Sequence, residues 1–181
     1  MNRRTFIKTA ATAGGAAAIL PQTLFSSGSK KKVKVGFIGT GLRGQWMLWL
    51  ASKYQEVEIP AICDIDNGMI NNALKILKDG GKPAPHIYKN GEEDFLNLLH
   101  NEELDGVYIA TPWEWHHPMA VAAMKSGIHV GTEVPAALTV EECWDLVNTS
   151  EKTGKLCMIM ENVCYRRDVM AIVNMVRQNM F

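Results

Sequence analysis

The stretch "VKVGFIGTGLRG", residues 33–44, decides the fold. Its first six residues form a short apolar run rich in β-branched side chains, the composition of a strand buried on both faces. Gly39, Gly41 and Gly44 follow at once in the spacing G-x-G-x-x-G, and a helical pattern opens near Leu42. Strand, glycine turn and helix in that order make a cradle for a dinucleotide. The glycines permit a tight turn, a close approach of backbone to pyrophosphate and close helix-to-sheet packing, while the helix N-terminus favours phosphate charge. Arg43 stands in the first turn of that helix, where it reaches phosphate or packs over the adenine in one reading and is a solvated helix-start arginine in the other.

Toward the C-terminus the next strand ends in "AICDID", residues 61–66, which places Asp64 about 20 residues beyond the glycines. A carboxylate there accepts hydrogen bonds from the ribose hydroxyls and repels a 2′-phosphate, so the expected cofactor is NAD, not NADP. Asp66 is read as the cap of the following helix. From there short apolar runs alternate with helix-period segments. Strands are expected at 33–38, 59–63, 107–110, 129–134 and 156–160, and helices at 42–53, 68–78, 93–99, 118–126 and 140–153. This alternation predicts an α/β fold, a Rossmann doubly wound parallel sheet covered on both faces. A further helical pattern from Arg166 runs to Phe181 with nothing after it to cover its apolar residues, and the expectation is a fragment of a longer protein.

Toward the N-terminus, "NRRTFIKTAATAGGAAAIL", residues 2–20, pairs Arg3-Arg4 with a moderately apolar Ala/Gly-rich segment. That layout predicts a signal peptide of the twin-arginine type, with export to the periplasm. An ordinary secretory signal with two adjacent arginines is the plainer alternative. Residues 1–32 are therefore expected to be signal and linker, 33–155 the NAD-binding domain, and 156–181 its last strand and the start of a truncated second domain. Nineteen basic residues balance nineteen acidic ones, which argues against nucleic acid as a partner. No later apolar run is long enough to span a bilayer, so no stable membrane anchor is expected once the signal is removed. Cys63, Cys143, Cys157 and Cys164 form no C-x-x-C pair; they are expected to be core or near-core thiols, and no metal site is expected.

Three more segments narrow the family: "YIATPWEWHHPMAVAAMKSGIHV" from Tyr108, "GTEVPAALT" from Gly131 and "MIMENVCYRRD" from Met158. T-P-x-x-x-H, a small-residue helix, G-x-H-V and E-x-P together resemble the Gfo/Idh/MocA family from Val33 to the end of the chain. The resemblance implies a Rossmann domain joined to a C-terminal α/β open-sheet domain, which is missing from this chain. Where most dehydrogenases of that family carry Glu-Lys-Pro, this sequence has Glu133-Val134-Pro135, and valine has no proton to exchange. That departure, with Trp113 to His116 and Glu161 to Tyr165, is similar to the NAD-dependent α-N-acetylgalactosaminidases of glycoside hydrolase family 109.

The resemblance implies NAD contacts from Leu42, Arg43, Asp64, Trp113, Glu114, Trp115, His116, Glu133, Val134 and Asn162, and turns Tyr165 toward the substrate. Plainer readings stand beside these. His116 simply starts a helix, the tryptophans are lid or core aromatics, and Tyr165 is a surface residue. The implied activity is hydrolysis of terminal α-N-acetylgalactosaminides by oxidation at C3, loss of the C2 proton, elimination, addition of water and reduction. Such a cycle needs no external cofactor pool, which suits a folded protein loaded with NAD before export. The full-length form is expected to act on a glycan or small-molecule substrate and to be open to homo-oligomer formation. The rival readings are an exported sugar oxidoreductase and an inactive nucleotide-binding module.

Overall fold

The computed structural model describes residues 32–180. The segment read as a signal falls outside them, except for Lys32, as does Phe181. Seven strands and six α-helices alternate: β1 (Val33–Ile38), α1 (Leu42–Ser52), β2 (Val57–Glu58), β3 (Ala61–Cys63), α2 (Asn67–Asp79), β4 (His86–Tyr88), α3 (Asp94–Asn101), β5 (Gly106–Ile109), α4 (Trp113–Lys125), β6 (His129–Thr132), α5 (Val140–Thr153), β7 (Cys157–Ile159) and α6 (Arg167–Arg177). The sheet order is β4-β3-β1-β5-β6-β7, with β2 beside β1, and every pairing is parallel. This is the Rossmann order, in which the chain winds outward from β1 in both directions.

Side-chain alternation along the central strands builds a core on each face. Phe37, Ile62 and Tyr108 point to one side, where they meet Leu48 of α1 and Ile70, Ala73 and Leu77 of α2. Ile38, Cys63, Val107 and Ile109 point to the other, against Leu98 of α3, Met119 and Met124 of α4 and Leu146 of α5. Ile62, Leu98 and Ile109 are completely buried, and truncating any one of them to Ala is expected to cost about 2–5 kcal/mol through lost transfer energy and a cavity. Local chemistry sets the helix starts. The Asp66 side chain accepts from the Gly68 and Met69 amides at 2.6 and 3.0 Å, and Thr139 with Glu142 forms a reciprocal capping box at α5.

Several boundaries differ from the sequence reading. The run 59–63 contains only the three-residue β3, and the short β2 pairs separately with β1. Strand β4 had no counterpart in the reading. Helix α4 begins at Trp113 and not at Pro118, so Trp113 to His116 form its first turn instead of a loop. Tyr165 lies in a short 3₁₀ turn, Val163–Tyr165, ahead of α6. Only Cys63 is a core thiol: Cys157 is half-buried, whereas Cys143 and Cys164 are exposed, because α5 turns Cys143 outward and the 3₁₀ turn leaves Cys164 uncovered.

Candidate functional site

Where the strand order diverges from β1, the carboxyl ends of β1, β3 and β5 frame a cleft of about 340 Å³, lined by Gly39, Gly41, Asp64, Met69, Glu114 and Trp115 among others. Each glycine of the turn answers a different demand. Gly39 has φ +87°, and a Cβ there would lie 2.5 Å from the Ala110 carbonyl oxygen. A Cβ on Gly44 would lie 2.1 Å from the Gly39 carbonyl oxygen. Gly41 has no atom within 4 Å of its Cβ position, so its small size leaves open space and relieves no clash. It also caps α1 without a side-chain hydrogen bond, and no acidic residue stands in the first turn. The opening amides of α1, which have no intrahelical acceptor, therefore face an uncrowded and uncompensated end, as a pyrophosphate requires.

At the end of β3, Asp64 lines the same cleft. Its Oδ2 accepts from the Thr40 amide at 2.6 Å and from Thr40 Oγ1 at 2.9 Å, and its Oδ1 accepts from the Asp66 amide at 2.9 Å. The carboxylate is thus held at the edge where a ribose would lie. Turn, helix end and carboxylate fit a dinucleotide such as NAD.

A second cluster joins the ends of β6 and β7 to α1. Arg43 Nε donates to Glu133 Oε1 at 2.6 Å, and one of its terminal amino groups donates to Asn162 Oδ1 at 3.4 Å. Its guanidinium also stands 5.0 Å from the centre of the Trp46 ring. The hydrogen bond it donates to Glu133 raises the Arg43 pKa above its ordinary value. The Tyr108 hydroxyl donates to the same Glu133 oxygen; burial first, and then this bond, pushes the phenol pKa well up. Arg43 is therefore a strut between three segments, neither a free phosphate ligand nor a purely solvated side chain.

The first turn of α4 divides its residues. Glu114 and Trp115 line the cleft, and Trp115 packs edge-on to Phe95 at 6.2 Å between ring centres. Trp113 is exposed. His116 is buried at 1%, with Nδ1 2.7 Å from the Pro135 carbonyl oxygen and Nε2 2.8 Å from that of Thr111, so its ring links two loops and does not line the cleft. Leu42 is 86% exposed, Val134 follows Glu133 with an exposed side chain, and Tyr165 is 69% exposed. Glu161 accepts from the Val163 amide at 2.6 Å, the behaviour of a capping carboxylate.

Two participants escaped the sequence reading, Thr40 and Tyr108. Tyr108 left a signal, because a tyrosine inside a buried strand needs a hydrogen-bond partner. Thr40 left none, since any small residue suits the second position of the glycine turn. Among the described residues, no cluster of His, Cys, Asp or Glu is arranged to hold a metal, and no helix is long and apolar enough to cross a membrane.

Residues 33–161 match Gfo/Idh/MocA, an oxidoreductase family with an NAD-binding Rossmann fold. The chain is 50% identical, over 99% of its length, to a glycosyl hydrolase family 109 protein of Parabacteroides distasonis. It is 48% identical, again over 99% of its length, to an alpha-N-acetylgalactosaminidase of Tannerella forsythia. It spans 42% of the length of each of these curated relatives. Among solved structures, scyllo-inositol dehydrogenase from Lactobacillus casei with bound NAD(H) and scyllo-inositol superimposes with a TM-score of 0.70 at 20% identity, covering 83% of this chain and 42% of that one. At that identity the likeness speaks for the fold alone.

Proposed function

We propose, since the chain belongs to the Gfo/Idh/MocA oxidoreductase family and carries its NAD-binding Rossmann domain, that it is the cofactor-holding part of a glycosidase that removes terminal α-N-acetylgalactosamine. The observation that carries this reading is Val134, 43% exposed at the end of β6 beside the Arg43–Glu133 pair. By resemblance, the dehydrogenases of the family place a proton-exchanging lysine at this position, and a valine cannot serve in that way. Similarity to an alpha-N-acetylgalactosaminidase along nearly the whole chain supports the same conclusion.

Bound NAD supplies reversible hydride exchange at C3 of the sugar, so oxidation, elimination, addition of water and reduction sum to a hydrolysis with no net redox change. The residues of this chain hold and orient. Asp64 would accept from the adenosine ribose, and the amides opening α1 would receive the pyrophosphate. Leu42, Arg43, Trp113, Glu114 and Trp115 would border the cofactor, His116 would position the loops beside it, and Glu133, Val134 and Asn162 would lie toward the reacting end. Tyr165, exposed ahead of α6, would offer its hydroxyl to the substrate as a group that holds or moves a proton. We assign residues 33–155 to cofactor binding and 156–181 to the passage into a substrate domain. Residues 1–32 are assigned to twin-arginine export with NAD already bound, and Arg3→Lys with Arg4→Lys would then retain the precursor in the cytoplasm.

The test joins this chain to the remainder of the Tannerella forsythia relative and purifies the fusion without added nucleotide. Cleavage of an aryl α-N-acetylgalactosaminide, with deuterium entering C2 of the released sugar in heavy water, is expected. A fusion that binds NAD and cleaves the substrate without deuterium on carbon would rule out the oxidation-elimination route. Accumulation of a keto sugar without cleavage would identify an oxidoreductase.

A further inference from the structure

Asp64 is more heavily engaged by the protein than a ribose acceptor needs to be. A carboxylate offers about four lone-pair sites. The amide and hydroxyl of Thr40 occupy both sites on Oδ2, and the Asp66 amide occupies one on Oδ1. One acceptor site therefore remains, on Oδ1. Thr40 is 0% exposed and sits between Gly39 and Gly41, and its carbonyl is held separately by Gln45 Nε2 at 2.8 Å. Both its main chain and its side chain are thus fixed, and a threonine is stiff about χ1.

We propose that Thr40 is a positioning residue that sets the preference for NAD over NADP. By filling Oδ2 it stops the Asp64 carboxylate from turning, so that Oδ1 alone meets a single ribose hydroxyl and the negative charge stays at the ribose edge of the cleft, where it opposes a 2′-phosphate. Without the Thr40 hydroxyl, each carboxylate oxygen is held by one amide alone, and Oδ2, left with an open acceptor site, is less firmly fixed. The carboxylate then binds the hydroxyl less well and repels the phosphate less. The proposal rests on Asp64 being the ribose partner.

Calorimetric titration of the full chain with NAD and with NADP tests both levels, using the parent, Thr40→Val, Thr40→Ser and Asp64→Asn. Thr40→Val is expected to weaken NAD by about tenfold, the worth of one hydrogen bond to a charged group, with NADP changed by no more than about twofold. Thr40→Ser, which keeps the hydroxyl, is expected to retain the parent's preference. If Asp64→Asn loses the preference and Thr40→Val keeps it, or if Thr40→Val weakens both nucleotides alike, the role of Thr40 is overturned while that of Asp64 stands. If Asp64→Asn keeps the preference, Asp64 is not the ribose partner and both ideas fall. Should Thr40→Val not fold, Thr40→Ala takes its place with the same criteria.

Discussion

Arg43 Nε donates to Glu133 Oε1 across 2.6 Å, tying the first turn of α1 to the residue that follows β6. The arginine side chain is 38% exposed and the glutamate 13%, so solvent screens the pair from one side only. A double-mutant cycle with Arg43→Met and Glu133→Gln is expected to give a coupling below about 1 kcal/mol in urea unfolding. Glu133→Ala alone is expected to cost about 1–3 kcal/mol, because it also strips the buried Tyr108 hydroxyl of its acceptor. Equal costs for Glu133→Ala in the parent and in Tyr108→Phe would refute that cause.

The glycine turn separates folding from binding. Gly44→Ala forces a Cβ onto the Gly39 carbonyl oxygen at 2.1 Å and is expected to destabilise the domain by more than about 2 kcal/mol. Gly41→Ala meets no atom within 4 Å and is expected to leave stability within about 1 kcal/mol while weakening NAD by filling the space beside the backbone. Thermal melts with and without NAD distinguish the two. A Gly41→Ala protein with full NAD affinity would show that the backbone is not approached there.

Acid sensitivity should trace in part to Asp94, which is 4% exposed. Asn97 Nδ2 donates to it at 2.7 Å and the Asn90 amide at 2.8 Å, and these bonds, led by that of Asn97, hold its carboxyl below the ordinary value of 3.8. With the folded pKa depressed, its stabilisation is complete above the unfolded value and is lost as pH falls through the folded one. Asp94→Ala is expected to cost about 1–3 kcal/mol at neutral pH, and less once the pH is below both values. Urea midpoints measured across the acid range check this, and a cost that is constant with pH would contradict it.

Thiol labelling should follow burial. Cys143 and Cys164 are exposed and are expected to react promptly in the folded protein. Burial, with Asp94 and Asp64 nearby, pushes the Cys63 thiol up to about 12, so it should react only after unfolding. Mass spectrometry of modified peptides reads the order, and early labelling of Cys63 would indicate that the cleft opens to the core.

Much of the architecture was legible because it rests on periodicity: β1, the glycine turn and the strand ending at Cys63 are bounded by clear punctuation, and the strands expected at 107–110 and 129–134 are present but end at Ile109 and Thr132. Strand β4 was not, since His86 to Tyr88 is short, follows Pro83 and Pro85, and leaves His86 and Ile87 exposed, so that pairing with β3 and not an apolar pattern defines it. Pro118 misled differently. Proline favours the first helical turn, so it was read as a helix start, yet it lies six residues into α4, whose register is set by Trp115 against Phe95 and by the buried His116. Asp64 was visible from its distance to the glycines. Arg43, Glu133 and Asn162 were named through the resemblance, but their bonding to one another was not legible, because it joins residues brought together only when β6 and β7 add to the edge of the sheet.

The imidazole of His116 lies between the carbonyl oxygens of Thr111 and Pro135 and donates its N–H to one of them. Neighbouring rims of the cleft, one after β5 and one after β6, thereby meet across a single buried ring. One buried side chain thus couples two loops that lie far apart in the sequence.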